Sequence, residues 1–365
     1  MSRIRSSRYD HIDPILIYLL LSAILFGFLS LYSADHQNWG LITKQLIRAT
    51  PALIATAILF KLNKRTLQDL TPIIYTASII LLIMVLLLGY MTNGAQRWLN
   101  LGLFKFEPSE LVKISLPLTL ASIIAKDGLP LKNYSIIKSS LLIILPFILV
   151  LKQPDLGTAL IIATIGGLCL FLSGLSRMII LSLCALLCIS SPIIWSQMHD
   201  YQKQRVITLL NPEDDIQHHG YHTHQSKIAI GSGGMTGKGL LNGTQNQLGF
   251  VPEHKTDFVF SLICEELGFI GATFWLSLVL AIGVRAILLG YRQYCLFSKL
   301  CCISVGCNFM LNAWINMAMV TGIIPVVGIP LPLISYGGTS FVMTLLGFAI
   351  VLKLGNPDPR KQGAW

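Results

Sequence analysis

The sequence predicts an all-α, polytopic membrane protein with about ten transmembrane helices and one large extracytoplasmic loop. Three observations carry that prediction. Hydrophobic residues make up 53% of the 365-residue chain and charged residues only 12%, about half the ~25% charged content of soluble domains. Mean hydropathy is +0.67. The apolar residues fall into runs close to the ~20 residues that cross a bilayer as a helix, separated by short polar segments with one long exception, 197–256. Residues 1–365 therefore read as a single integral membrane domain, with no room for a separate soluble one.

Taken in order, the runs place spans near 14–33, 43–60, 72–90, 108–125, 135–151, 157–174, 177–196, 263–289, 297–321 and 333–352. An even number of spans puts both termini on one side. Arg3, Arg5, Arg8, Lys61, Lys64, Arg65, Lys126, Lys132, Lys138, Arg177, Arg285, Arg292, Lys299, Lys353, Arg360 and Lys361 share that side, which the positive-inside rule makes the cytoplasm. The net charge of +10 is thus mostly orientation, and nucleic acid need not be invoked. The N-terminal MSRIRSSRYDHIDP lacks a small-residue cleavage site and reads as a retained cytoplasmic tail. The eight cysteines lie in apolar runs or in the short loop with Cys295, which argues for small buried hydrophobes and against a disulfide framework or zinc site.

Ionisable residues inside spans are costly and normally face a cavity or a partner. Lys44 and Arg48 lie one turn apart in the second span. The fourth opens FEPSELVK, which sets Glu107, Glu110 and Lys113 at three-residue spacing along one helix side. Either Glu110 and Lys113 neutralise each other structurally, or Lys113 joins Arg97 in a cationic site for a phosphorylated headgroup. Arginine suits such bidentate recognition. Arg97, Lys105 and Lys152 are the basic residues of the short outer loops, against the topological bias. Asp155 in LKQPDLGTAL is placed to cap a helix and, beside Lys152, to position a substrate group. Asp257, where the long loop meets the eighth span, is a carboxylate at an apolar boundary, the setting that raises a pKa toward that of a general base. Glu265 and Glu266, deeper in that span, read as bundle-holding residues.

The long loop carries six glycines between Gly231 and Gly243, able to present amide donors to an anion. Its histidines His218, His219, His222 and His224 invite a metal reading, but no nearby carboxylate supports one. The prolines and glycines of TGIIPVVGIPLPLISYGGTS, from Pro325 to Gly338, preclude a continuous helix. Irregular backbone at membrane depth survives only where buried or lining a cavity, so this segment should wall the site.

The segments NGAQRWLNLG, FEPSELVKI, QPDLGTAL, YHTHQSKIAIGSGG, GKGLLNGTQNQLGFVPEHKTDFVF, CEELGFIG and GIIPVVGIPLPLISYGGTS follow one another in the order found in the shape, elongation, division and sporulation family. The chain resembles that family over roughly 10–353, and its NGTQNQ element resembles the elongation branch more than the division branch. The resemblance implies a peptidoglycan glycosyltransferase. It would polymerise lipid II, an undecaprenyl-diphosphate-linked disaccharide pentapeptide, at the outer face of the membrane during cell elongation, beside a class B penicillin-binding transpeptidase. It puts the family's essential aspartate on Asp257. Arg48, Arg97, Glu110, Lys113, Lys152, Asp155, Gln245, Glu253 and Lys255 form the expected substrate-binding set, with no dedicated metal site, although a divalent cation, magnesium or manganese, could share the leaving-group charge. One departure is Lys255, where the family usually has histidine. Either that histidine is not catalytic or the adjacent His254 replaces it; the first reading is preferred. A lipid II flippase is the alternative function, and a scaffold for the transpeptidase a further rival.

Overall fold

A computed structural model describes residues 12–92, 95–100, 105–176, 200–210 and 221–356, with scattered residues between 178 and 198. Its helices are α1 (Pro14–Ala34), α2 (Gly40–Lys61), α3 (Lys64–Leu88), α4 (Pro108–Asp127), α5 (Asn133–Lys152), α6 (Leu156–Leu172), α7 (Asp200–Leu210), α8 (Tyr221–Gly233), α9 (Thr244–Gln247), α10 (Val259–Tyr291), α11 (Leu296–Val320) and α12 (Gly338–Leu354). Among the described residues, α1, α3, α4, α5, α10 and α11 are long and apolar enough to cross a membrane, and α6 and α12 are shorter apolar helices. The seventh expected span, 177–196, lies mostly outside the described residues, as do Arg3, Arg5, Arg8, Arg360 and Lys361.

Two helix starts are fixed by capping aspartates. Asp13 caps α1, its Oδ1 accepting from Leu16 N at 2.8 Å with Pro14 next in line. Asp155 caps α6, accepting from Thr158 N at 3.2 Å. The third span starts at Lys64, earlier than the expected 72, because Pro72 sits inside the helix rather than at its start. Pro51, Pro117 and Pro146 are likewise interior to α2, α4 and α5, as membrane helices allow.

The bundle is organised around α4 and α11. The apolar window of α4 is 83% buried, against 28% for α5. That places α4 at the centre, packed on α3, α5, α6, α11 and α12, while α10 packs most extensively on α11. A helix buried all round can hide polar side chains from lipid, and α4 and α11 carry the buried Glu110, Lys113, Asn312 and Asn316. At one end of the bundle the helix termini are tied together. Arg285 pairs with Asp13 at 2.5 Å, Lys64 Nζ donates to the carbonyls of Leu354 and Asn356, and Lys353 Nζ donates to that of Phe60.

Two features of the opposite end depart from expectation. A small antiparallel sheet, β1 (Tyr90–Thr92), β2 (Ala95–Asn100) and β3 (Lys105–Phe106), joins α3 to α4 in an otherwise helical chain. The long loop is also not structureless: α7, α8 and α9 lie within it, and α8 packs against α10.

Candidate functional site

Asp257 sits in a turn, 251–258, whose residues are held by other elements. His254 Nδ1 faces the Val251 carbonyl at 2.7 Å and its Nε2 faces that of Ala34 at 3.2 Å, so the buried imidazole fastens the turn to the end of α1. Lys255 Nζ pairs with Asp35 at 2.9 Å beside it. The Lys255 carbonyl accepts from Tyr336 N at 2.9 Å, and the Thr256 carbonyl from Ser335 Oγ at 2.5 Å. The Asp257 carbonyl accepts from Asn316 Nδ2 at 2.7 Å. Neither His254 nor Lys255 turns toward the aspartate. Both secure the backbone that carries it.

The Asp257 carboxylate meets a basic rim. Gly328 has φ +74°, a conformation glycine tolerates, and a Cβ there would lie 3.4 Å from Asp257 Oδ2 and 3.7 Å from Arg97 Nη1. Carboxylate and guanidinium therefore flank one bare stretch of backbone. Burial and the nearby Glu253 carboxylate push the Asp257 pKa up to about 6; Arg97 and Arg205 pull it down, and Asp155 adds a smaller upward push. Glu253 is exposed, its Oε2 accepting from Thr256 Oγ1 at 2.7 Å.

Arg97 reaches from β2 to Asp155, Nε to Oδ2 at 3.3 Å. Asp155 is only 2% exposed and does two jobs, capping α6 and holding Arg97; its ionic partner is Arg97, while Lys152 is exposed at the end of α5. From this pair a cavity of about 320 Å³ runs along α6 past Leu156, Leu160 and Thr164, walled by Ile315 and the 324–329 stretch. Thr164 lies eight residues beyond Leu156, which makes that wall ~12 Å long. The cavity is apolar apart from its rim of Arg97, Asp155 and Arg205. Arg205, on α7, donates from Nη1 to the Val326 carbonyl at 2.8 Å. Sequence reasoning missed it, because an arginine in a long polar loop looks ordinary.

The other expected residues occupy different ground. Lys113 donates to Glu110 at 2.7 Å and to Asn312 at 3.1 Å, and lysine and glutamate are 2% and 6% exposed. This is a neutralised pair inside the bundle, beside a small cavity of mixed polar and apolar lining. Glu107, just ahead of α4, lies between the two regions. Burial and the Glu110 and Asp155 carboxylates push its pKa up to about 8, and Lys113 opposes them. Arg48 stacks its guanidinium 4.6 Å from the Tyr336 ring centre at the start of α12.

Gln245 lies at the N-terminus of α9, which is docked on Glu265. That carboxylate accepts from Gln245 N at 2.8 Å, Asn246 Nδ2 at 2.7 Å and Lys238 Nζ at 2.8 Å. Glu266 accepts from Ser33 Oγ and Gln247 Nε2. The two glutamates thus fasten the loop to the bundle. Three amides of the glycine-rich run are already engaged: Gly237 N donates to the Gly233 carbonyl, and Lys238 N and Gly239 N to the carbonyls of Glu265 and Glu266. The latter two carbonyls are freed where α10 kinks at Gly268, φ 64° and ψ −159°. A Cβ on Gly237 would overlap the Glu266 carbonyl, so glycine there is a condition of the close approach. Among the described residues no group of three or more His, Cys, Asp or Glu is placed to hold a metal; His218 and His219 lie outside them.

Fold and site define a polytopic membrane protein whose loop-bearing end presents one partly buried aspartate above an arginine-rimmed, apolar cavity. The chain belongs to the FTSW_RODA_SPOVE family, described as cell cycle protein, whose model matches residues 13–357. It is 41% identical over 347 residues to the peptidoglycan glycosyltransferase MrdB of Escherichia coli K12, covering 94% of this chain and 93% of that one. It is 35% identical to the MrdB of Helicobacter pylori 26695, covering 94% and 90%. Among solved structures, a chain of a peptidoglycan synthase complex described as coordinating polymerization and crosslinking matches with TM-score 0.83 at 30% identity, over 95% of this chain and 98% of that one. The rod shape determining protein RodA of Thermus thermophilus matches with TM-score 0.72 at 28% identity, over 96% and 98%.

Proposed function

We propose that Asp257 is the general base of a peptidoglycan glycosyltransferase that polymerises lipid II during cell elongation. The observation that carries this reading is the juxtaposition of Asp257, with its raised pKa, and Arg97 on either side of Gly328, at the mouth of the apolar cavity. The cavity wall suits an isoprenoid chain and its rim suits the diphosphate. An acceptor sugar hydroxyl attacks the donor's anomeric carbon with inversion and passes its proton to Asp257. The bond from that carbon to the diphosphate oxygen breaks, and the leaving diphosphate takes the electron pair. Arg97 and Arg205 stabilise the charge that develops there, the kind of preorganised electrostatics that dominates many enzymatic rates. One acid suffices because the leaving group needs no proton, unlike the paired carboxylates of glycoside hydrolysis. Magnesium or manganese would enter as a counter-ion carried on the diphosphate.

The site end faces the outside of the cell in this reading, because Lys61, Lys64, Arg65, Lys126, Lys132, Lys138, Arg285, Arg292, Lys299 and Lys353 gather at the opposite end. A class B penicillin-binding transpeptidase is the proposed partner, in line with the synthase complex among the structural relatives.

The test is direct. Purified protein, with and without such a partner, is given labelled lipid II and the products are separated by size. Glycan chains are expected, and Arg97→Ala should reduce their formation per folded molecule by about 10²-fold or more, the scale for losing one charge-stabilising donor, with some loss of melting temperature because buried Asp155 is left without its ionic partner. Transfer of lipid II across a vesicle bilayer with no polymer from the active complex would support the flippase instead.

A further inference from the structure

We propose that Asn316 is a positioning residue for Asp257: its side-chain amide ties the peptide of the base to the Gly328–Ile329 backbone, fixing the gap between the carboxylate and Arg97. The proposal rests on Asp257 being the base. Asn316 is fully buried near the end of α11. Its one NH2 group donates both hydrogens, to the Asp257 carbonyl at 2.7 Å and to the Ile329 carbonyl at 2.6 Å. Three separate chain segments therefore meet on a single nitrogen. One turn further along α11, Met319 Sδ accepts from Val327 N at 3.3 Å and Gly328 N at 3.4 Å, so the same helix face grips the stretch from both sides of Gly328.

The consequence is geometric. The Gly328 position is in contact range of both Asp257 Oδ2 and Arg97 Nη1, so a shift of the turn relative to Gly328 changes the space open to the donor's anomeric centre. Leucine would fill the same volume but leave two buried carbonyls without a donor, and aspartate would add acceptors where donors are needed. Asn316 Oδ1 itself accepts nothing. The residue thus holds two carbonyls at the expense of its own unsatisfied oxygen, which a purely packing role does not require. Asn308, Asn312 and Asn316 recur every four residues on α11, a polar stripe legible in the sequence.

The experiment measures polymer formation by purified full-length protein against lipid II concentration and pH, together with the melting temperature. Asn316→Leu is expected to lower kcat about 10- to 100-fold, the scale on which small misplacements act, with KM for lipid II little changed. The charged groups facing Asp257 are Glu253 from its own turn, Arg97 from β2, Arg205 from α7 and Asp155 at the start of α6. None is altered, so a displaced acidic limb of the pH profile would report movement of the carboxylate itself. Asn316→Ser removes the same reach and is readily accommodated in a spanning helix, and it decides the matter should Asn316→Leu not fold. Asn316→His, which retains a donor, should recover part of the rate. Ser226→Ala, which removes a buried bond to the Val320 carbonyl of α11 and none to the Asp257 turn, should lower melting without moving the profile. Wild-type kcat per folded molecule and an unmoved acidic limb in folded Asn316→Leu or Asn316→Ser would overturn the proposal. Asp257→Asn run in parallel separates the cases: if it stays active, the base assignment itself has failed.

Discussion

Asp257→Asn is expected to insert, fold and bind lipid II, and to form glycan about 10²–10⁴-fold more slowly than the wild type, the loss that follows removal of a general base. Asparagine keeps the size of aspartate and loses only the basic oxygen. The tether to Asn316 uses the backbone carbonyl of residue 257, which the substitution leaves in place. Stability should not fall. The carboxyl pKa in the folded protein, about 6, lies above its ordinary 3.8. A raised carboxyl favours folding below its unfolded pKa and loses that contribution as pH rises through the folded value, so at pH 7 the ionised group weighs against the fold. Melting of Asp257→Asn at pH 7 should therefore match or exceed that of the wild type. Gel analysis of labelled lipid II products, with melting measured on the same sample, checks both halves. Polymerisation near the wild-type rate would remove Asp257 as the base.

Lys113→Ala should fail differently, by losing the fold. Glu110 and Lys113 are almost completely buried between α4 and α11 and answer each other at 2.7 Å. Deleting one partner strands a buried charge, which costs about 3–5 kcal/mol, whereas replacing both with neutral groups is often near neutral. The paired variant Glu110→Gln with Lys113→Met should accordingly recover most of the folded yield. Size-exclusion profiles and melting curves of the single and paired variants decide the point. A Lys113→Ala protein as stable as the wild type would show that the pair carries no structural weight, and would return Lys113 to the substrate-binding set.

The runs that match apolar helices among the described residues were legible because hydropathy reports the membrane directly, and the run 297–321 coincides with α11 to within a residue at each end. Boundaries were harder to read where a helix continues past the apolar run: the KRTLQDL turn of α3 is polar and Pro72 imitates a start. The β1–β2 hairpin had its own signal in Asn93–Gly94, the dipeptide most suited to a two-residue turn, which an all-helical expectation passed over. Asp257 and Asp155 could be found as charges at helix starts, and Arg97 as a basic residue on the outer face against the topological bias. Their partners could not. Whether the glycine-rich amides serve a ligand or the α10 kink depends on which carbonyls that kink frees, a tertiary fact centred on Gly268. Arg205 became significant only when α7 brought it to the cavity rim.

The central claim, that a partly buried Asp257 carries the proton, is tested most directly by the pH dependence of glycan formation by the wild-type protein at lipid II concentrations well below KM, where the profile reports the free enzyme. With Asp257 near 6, the rate should be level from about pH 7 to 8 and fall about tenfold per unit well below 6, as the base becomes protonated. Asp257→Asn should lack that limb altogether. A wild-type rate that stays level down to about pH 4.5, below the range in which a base of this pKa remains ionised, would contradict the account.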